Sequence, residues 1–242
     1  MKPYIIAEIA CAHLGDPFLC VDLIGHAHDA GAQGVKVQVW QENDIKKHIS
    51  YKNMKRFEIS QKNWEIIAQF AHNLGIDLWI EAISRESIEF AMTLNPFAWK
   101  IPYFKFIENV KIVDGVGQPV FWRVLTDSPV YGNNVAIGEQ GFPTSLADAK
   151  KELELVKHFK GTGRKVIYSD HQDAYEWEKT TFPALAAYHD GADYIEKHIC
   201  LNREALAKES KDHCSALEPH EFKQFVKYLN DNEKGGKVRA IL

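Results

Sequence analysis

Two short stretches of this sequence place ionisable side chains directly after buried, strand-like residues. Residues 165–171 end in Ser-Asp-His, and residues 194–198 end in Glu-Lys-His. Because helical sequence separates them, we expect two parallel strands whose carboxyl ends meet at one edge of a barrel, where active sites lie. His171 and His198 could then share one divalent metal, with carboxylates and water completing its coordination.

A purely structural role for these histidines is the alternative to a metal site. The chain has eleven histidines, and a histidine at the end of a strand is often only a hydrogen-bonded polar residue. Either His171 or His198, considered alone, is better explained by the structural role. Their pairing on consecutive strands, each beside a carboxylate, favours the metal.

Length, composition and charge restrict the classes of protein to which the chain can belong. Its 242 residues suit a single (β/α)8 barrel, which has about 250 residues, although two small domains would also fit. A hydrophobic content of 45% is enough for a full core. The net charge of −4 indicates no general affinity for nucleic acid or an acidic membrane. We expect one domain over residues 1–242 that acts on small molecules.

The cysteines and the N-terminus indicate the cellular compartment. Cys11, Cys20, Cys200 and Cys214 form no C-x-x-C pair, and four cysteines in a chain of this length do not make a disulfide framework. The N-terminus leads straight into a strand without a signal peptide, and no apolar run is long enough to cross a bilayer. These features predict reduced thiols in a cytoplasmic protein.

The alternation of apolar and amphipathic segments predicts the fold. Strand-like runs alternate with helical segments at a spacing of roughly 30 residues, which is typical of an α/β (β/α)8 TIM barrel. The fifth unit is irregular, because residues 126–134 are turn-like; we expect a missing outer helix and a shortened, open stretch of barrel there. A doubly wound open sheet is the alternative, but no glycine-rich nucleotide-binding motif supports it.

Three further segments have recognisable patterns. Residues 41–59 form a polar, basic-rich loop that could act as a lid. Residues 175–188 predict one continuous helix, and residues 202–215 predict an irregular charged loop before the last helix.

Several charged residues within strands are expected to face the barrel interior. The alternation of the second strand puts Lys36 and Gln38 on the inner side, where Lys36 is a candidate anion ligand. Glu8 lies in an apolar run, so it either pairs with a lysine or lines the barrel mouth. Lys100 and Arg123 belong to the fourth and fifth strands.

Several stretches, taken together, resemble the N-acetylneuraminate (sialic acid) synthases. Near the start these are Ala-Glu-Ile at 7–9, Ala-His-Leu-Gly at 12–15 and Val-Lys-Val-Gln at 35–38. The closing motifs are Ser-Asp-His at 169–171, Glu-Lys-His at 196–198, Asp-His at 212–213 and Leu-Glu-Pro at 217–219. The resemblance covers essentially the whole chain, and the closing set in this order is specific.

The resemblance implies a barrel that condenses phosphoenolpyruvate with an amino-sugar aldehyde, usually an N-acylated mannosamine, to give a 2-keto sugar acid. It implies that His171 and His198 hold a divalent metal, commonly Mn²⁺ with Mg²⁺ or Co²⁺ as alternatives, which polarises the aldehyde oxygen. It also suggests a homodimer.

The resemblance and the inward positions together give a set of site residues. The expected catalytic residues are Glu8, Lys36, Lys100 and Asp212. The expected substrate-binding residues are Lys36, Gln38, Glu81, Lys105, Arg123, Ser169 and Lys197. Among these, Lys36 and Ser169 match family residues that hold phosphoenolpyruvate, and Asp212 matches one that meets the sugar.

The sequence departs from the family pattern in the phosphoenolpyruvate half of the site. Glu81 replaces a phosphate-binding Thr, while Tyr103 and Lys105 replace a Ser and a Glu. Arg123 stands where the family has Ser-Thr-Gly, and the C-terminal antifreeze-like domain has no counterpart in this sequence. Glu81 could bind a changed substrate, or it could form an internal salt bridge with Lys105 or Arg123.

Three functions remain open from the sequence. The first is the synthase reaction. The second is a metal-dependent lyase, aldolase or hydrolase that acts on a sugar acid without phosphoenolpyruvate. The changed residues in the phosphate-binding half of the site favour this function. The third is a non-catalytic binding subunit, against which the intact pair of histidine motifs argues.

Overall fold

The computed structural model describes residues 2–40, 55–82, 84–101, 113, 116–124, 130, 132–138, 141–177 and 181–232. Eight parallel strands pair in chain order, and the last also pairs with the first, so the sheet closes into a barrel. The predicted TIM-barrel fold is confirmed. The strands are β1 (Tyr4–Glu8), β2 (Gly34–Val39), β3 (Asp77–Ala82), β4 (Ala98–Ile101), β5 (Val120–Arg123), β6 (Asn134–Ile137), β7 (Lys165–Asp170) and β8 (Tyr194–His198).

Helices follow most of the strands, and side-chain caps fix where the longer ones begin. Asp16 accepts a hydrogen bond from the Phe18 N–H at the start of the first helix, and serines do the same for the next three. The described helices are α1 (Pro17–Ala30), α2 (Gln61–Leu74), α3 (Arg85–Met92), α4 (Leu146–Gly161), α5 (Phe182–His189), α6 (Arg203–Ala207) and α7 (Pro219–Asp231). Within the described chain, no helix is long and apolar enough to span a membrane.

The alternation of β2 sets the two faces of the barrel wall. Val35, Val37 and Val39 point outward into the large core between the sheet and the helices. Lys36 therefore points inward, in register with Glu8 on β1 and Trp79 on β3. The inward-facing residues nearest the carboxyl ends of the strands therefore share one interior.

The opposite end of the barrel is filled by aromatic rings. The Trp79 ring lies 5.4 Å from that of Phe121 and 5.1 Å from that of Tyr194, measured between centroids. The Tyr4 hydroxyl donates to Asp77 at 2.5 Å and accepts from the Trp79 indole N–H at 3.3 Å. This aromatic plug closes the amino ends of the strands and leaves the carboxyl ends as the open face.

Gly34 is packed against this plug, and we predict that Gly34→Ala destabilises the protein. A β-carbon at this position would lie 2.7 Å from the Trp79 indole nitrogen and 3.1 Å from the Tyr4 hydroxyl oxygen. Overpacking of this kind costs about 1–3 kcal/mol of unfolding free energy. Urea unfolding measures the loss of unfolding free energy. Gly75→Ala is unsuitable as a control, because Gly75 has a φ of 73°, which strains an alanine. Gly25→Ala in α1 is the better control, since no atom lies within 4 Å of the added carbon.

The barrel is closed at β5 and β6, where an open stretch was expected. These strands pair through Trp122 with Val135 and Arg123 with Ala136, so the expectation of an opening is wrong. Of residues 124–133, which connect the two strands, only 124, 130, 132 and 133 are described, so the prediction of a missing outer helix lies mostly outside the described residues. The sheet continues through β4 and β7 on either side of this pair.

Two predictions near the carboxyl terminus also need correction. In the described part of the helix expected over 175–188, a 3₁₀ turn spans Ala174–Glu176, and α5 begins only at Phe182, with Pro183 in its first turn. Proline lacks an N–H donor, so it suits the start of a helix better than its interior. The expected loop over 202–215 contains α6, capped by Asn202, and a 3₁₀ turn at Lys211–Cys214.

Candidate active site

A cavity of about 690 Å³ opens at the carboxyl ends of the strands. Its walls combine charged side chains from inside the barrel with residues of the following loops. Nine of the predicted site residues line it: Glu8, Lys36, Gln38, Glu81, Lys100, Arg123, His171, His198 and Asp212. The volume is that of a small-molecule site.

His171 and His198 converge in this cavity. Their Nε2 atoms lie 3.2 Å apart, and both side chains are buried. The His171 carbonyl accepts hydrogen bonds from the Thr144 N–H and the Ser215 hydroxyl, both at 2.9 Å, which fixes the backbone that carries this ring. The Phe142 ring packs on both imidazoles, with centroids 4.6 Å from His171 and 5.6 Å from His198.

The environment keeps His198 neutral. Burial lowers its pKa to about 3, and the neighbouring His171 adds to this effect. A neutral imidazole has a lone pair available, which is the form that binds a metal.

The Nε2 atoms of His171 and His198 are close enough together to bind one divalent metal ion. Two nitrogens that bind one ion at about 2.1 Å and at roughly right angles lie about 3 Å apart, close to the observed distance. An imidazole-to-imidazole hydrogen bond is also compatible with 3.2 Å. In the part of the chain that the structure describes, no group of three or more His, Cys, Asp or Glu residues is arranged to hold a metal. The described residues therefore offer two ligands and leave positions for water or substrate.

Lys36 is surrounded by carboxylates. Its ammonium nitrogen lies 3.2 Å from Glu81 and 3.1 Å from Glu196, and it also forms an ion pair with Glu8. Glu8 in turn accepts a hydrogen bond from the Ala10 N–H at 2.7 Å. Both proposed roles of Glu8 are thus combined, since it pairs with a lysine and also lines the cavity.

Lys100 extends this buried network toward β7. Its ammonium group lies 2.7 Å from Glu196 and donates to the Ser169 hydroxyl at 3.0 Å. Burial opposes ionisation of Glu196, but the charges of Lys100 and Lys36 outweigh burial and hold the pKa of this carboxyl below its usual range. Glu196 is therefore ionised at neutral pH, and it faces two ammonium groups.

Two of the predicted substrate-binding residues, Ser169 and Lys197, do not line the cavity. Lys197 points away from it, since its ammonium group lies 3.2 Å from Asp170 and 3.1 Å from the Gln172 carbonyl. The reason is strand alternation, because Lys197 lies between two inward-facing residues of β8. Ser169 is buried behind Lys100. Lys105 lies outside the described residues.

Sequence reasoning missed Glu196, which contacts both buried lysines. The signal was available, because an inward His198 requires its neighbour two residues earlier to face inward as well. Phe142 and Lys211 were also missed. The Lys211 ammonium group lies 5.2 Å from the centre of the Phe142 ring. Loop residues such as these follow no strand or helix period that would reveal them.

The rim of the cavity joins two distant loops. Arg56 and Glu209 form an ion pair of 2.6 Å, and Phe57 packs with Trp40 below it. Of the loop expected to act as a lid, only residues 55–59 are described, so its larger part lies outside the described ranges. Asp212 accepts a long hydrogen bond from the Cys11 N–H at 3.4 Å on the same side.

The burial of His13, beside the rim, leads us to predict that the folded protein loses stability in acid. It is fully buried, its Nδ1 accepts from the Gly15 N–H at 3.0 Å, and burial lowers its pKa to about 4. Since the unfolded histidine binds its proton near pH 6.5, its stabilising contribution is present above that pH and is lost as the pH falls toward 4. The loss is up to about 3 kcal/mol.

The variant His13→Asn isolates this contribution from that of other acid-sensitive groups. Asparagine keeps an acceptor for the Gly15 N–H but does not titrate. Unfolding free energy measured between pH 7 and pH 4 should fall less steeply in His13→Asn than in the wild type. Equal slopes would show that His13 is not responsible.

Comparisons with known proteins agree with this fold. Residues 139–237 match the NeuB family. The chain is 26% identical to N,N'-diacetyllegionaminic acid synthase of Legionella pneumophila, over 96% of this chain and 73% of that protein. It is 25% identical to a pseudaminic acid synthase of Campylobacter jejuni, over 96% and 74% respectively.

A solved structure shows the same fold. The N-acetylneuraminic acid (sialic acid) synthetase of Leptospira borgpetersenii, crystallised with citrate, superposes with a TM-score of 0.73 at 20% identity. The match covers 99% of this chain and 88% of that one. The chain is therefore similar to the NeuB family over residues 139–237, and to named legionaminic and pseudaminic acid synthases over nearly its whole length.

Proposed function

We propose that this enzyme condenses phosphoenolpyruvate with the aldehyde of an amino sugar to form a 2-keto sugar acid. In this reaction C3 of phosphoenolpyruvate bonds to the aldehyde carbon, water adds at C2, and phosphate leaves. The aldehyde oxygen becomes a hydroxyl. The observation that carries the proposal is the pair of buried imidazoles, His171 and His198, whose Nε2 atoms meet in a cavity that also contains Lys36 and Lys100.

His171 and His198 are the residues that would hold a divalent metal, with Mn²⁺ proposed and Mg²⁺ or Co²⁺ as alternatives. Such an ion, when bound, polarises a carbonyl oxygen and so favours attack on the carbonyl carbon. Phe142 packs on both rings, which restricts their orientation and keeps water from that side of the pair.

The remaining cavity residues suit the binding and orientation of two polar substrates. Asp212 lies by the rim, where its carboxylate can accept hydrogen bonds from sugar hydroxyls. Arg123 lines the cavity three strands away from Lys36, and its guanidinium suits the carboxylate or phosphate of the donor. Lys100, fixed by Glu196 and Ser169, adds a positive charge to the interior wall.

Phosphate release tests this proposal. The enzyme is incubated with phosphoenolpyruvate, Mn²⁺ and N-acetylmannosamine, and then with other aldoses and with Mg²⁺ or Co²⁺. Release is expected to require both an aldose and a divalent metal. If no aldose in a broad panel supports release, the proposal fails.

A further inference from the structure

Glu81 contacts Lys36 at the wall of the cavity. One of its oxygens lies 3.2 Å from the Lys36 ammonium nitrogen, and the other accepts from the Gln38 amide at 3.2 Å. Glu8 and Glu196 also contact Lys36, but both are only 1% exposed, whereas Glu81 is 7% exposed. Among these three carboxylates, Glu81 is therefore the one nearest to an incoming ligand.

The positive charge of Lys36 is offset within the protein. Three carboxylates contact its ammonium group, which donates a hydrogen bond to one of them, Glu81. A phosphate group that approached Lys36 would have to displace Glu81 or lie against its negative charge, and like charges at contact distance in a buried site repel strongly. An uncharged hydroxyl would meet neither obstacle, because it can donate to the Glu81 carboxylate.

We propose that Glu81 determines specificity in this part of the cavity by taking the place of a substrate anion beside Lys36. The substrate group bound there is an uncharged hydroxyl, and anionic groups are directed to the Arg123 side of the cavity. Gln38 supports this arrangement, because its amide holds the second oxygen of Glu81. The inference rests on the proposed function in that it assumes a donor with an anionic group.

The test measures the binding of inorganic phosphate to the intact enzyme by calorimetry. Glu81→Gln keeps the size of the side chain and removes its charge, and it should bind phosphate at least tenfold more tightly than the wild type. Glu209→Gln removes one charge from the rim of the same cavity without a contact to Lys36, so its affinity should change less than threefold. Equal affinities in the wild type and Glu81→Gln, or equal gains in both variants, would overturn the proposal.

A second measurement locates the gained phosphate. In Glu81→Gln crystals soaked with sulfate, the anion should lie against the Lys36 ammonium group. Sulfate bound only elsewhere, or not bound in the cavity, would overturn the role of Glu81. The double variant Glu81→Gln/Lys36→Gln should return to the weak affinity of the wild type, and retention of tight binding would likewise contradict the proposal.

These outcomes are separate from those of the turnover assay, because phosphate binding needs no reaction. A wild-type enzyme that consumes phosphoenolpyruvate, combined with a Glu81→Gln variant that gains no phosphate affinity, would reject the role of Glu81 and leave the proposed function standing. The reverse pair of results would reject the function and leave the role of Glu81 standing.

Discussion

Replacing His171 by alanine is expected to weaken Mn²⁺ binding by at least about 100-fold, because substitutions that only support a ligand already cost 10–100-fold. Only one imidazole of the pair, that of His198, would remain. If the metal lowers the barrier by about 4 kcal/mol, turnover should fall by about a thousandfold. Calorimetry with Mn²⁺ measures the first effect, and phosphate release measures the second.

The control for this prediction is His72→Ala. His72 is exposed in the last turn of α2 and does not line the cavity. Its replacement should leave both Mn²⁺ affinity and turnover unchanged. Unaltered Mn²⁺ affinity in His171→Ala would instead show that the two histidines form only an imidazole-to-imidazole hydrogen bond.

Replacing Lys36 by methionine is expected to lower the unfolding free energy by about 3–5 kcal/mol, since removing one partner leaves uncompensated buried charge. Glu8, Glu81 and Glu196 would then face one another with one fewer cation between them. Urea unfolding at pH 7 measures the loss. Adding Glu81→Gln to this variant should recover part of it, because one of the repelling charges is removed.

Lys157→Met is the matched control for the buried network. Lys157 forms a 2.8 Å ion pair with Glu154, but both side chains are at least half exposed. Exposed pairs contribute about 0–1 kcal/mol. A similar, small loss in both variants would show that the buried ion pairs of Lys36 contribute no more than those of an exposed lysine.

The barrel and the histidine pair could be predicted because local signals suffice for them. Apolar strands, serine caps and the spacing of helices are readable within short windows of sequence. The convergence of His171 and His198 follows from their positions at the ends of two consecutive parallel strands. Neither prediction requires knowledge of how distant side chains pack.

The partner of Glu81 could not be predicted in the same way. The structure pairs Glu81 with Lys36, which is not among the candidate partners that the sequence suggests, Arg123 and Lys105. That contact depends on the register of β2 against β3, which sets Gln38 opposite Glu81 and brings Lys36 within reach. Register between strands separated by a loop and a helix is a property of the assembled sheet.

The sequence assigns Lys197 to the site, whereas the structure places Glu196 there. The Glu-Lys-His motif drew attention to a positive charge as an anion ligand, but alternation along β8 turns Lys197 away and Glu196 inward. Because side chains alternate along a strand, an inward-facing His198 implies an inward-facing Glu196 and an outward-facing Lys197, which the sequence alone can predict. The loops that supply Phe142 and Lys211 offer no such period.

The most direct test of the central claim is to detect the carbon–carbon bond itself. Phosphoenolpyruvate labelled with ¹³C at C3 is incubated with the enzyme, Mn²⁺ and the aldose that supports phosphate release, and the products are examined by mass spectrometry and ¹³C NMR. The account predicts a labelled 2-keto sugar acid that carries all carbons of both substrates, formed in step with phosphate. Labelled pyruvate without a sugar adduct, or unreacted phosphoenolpyruvate while Mn²⁺ remains bound at His171 and His198, would contradict it and point to a lyase or hydrolase acting on a sugar acid.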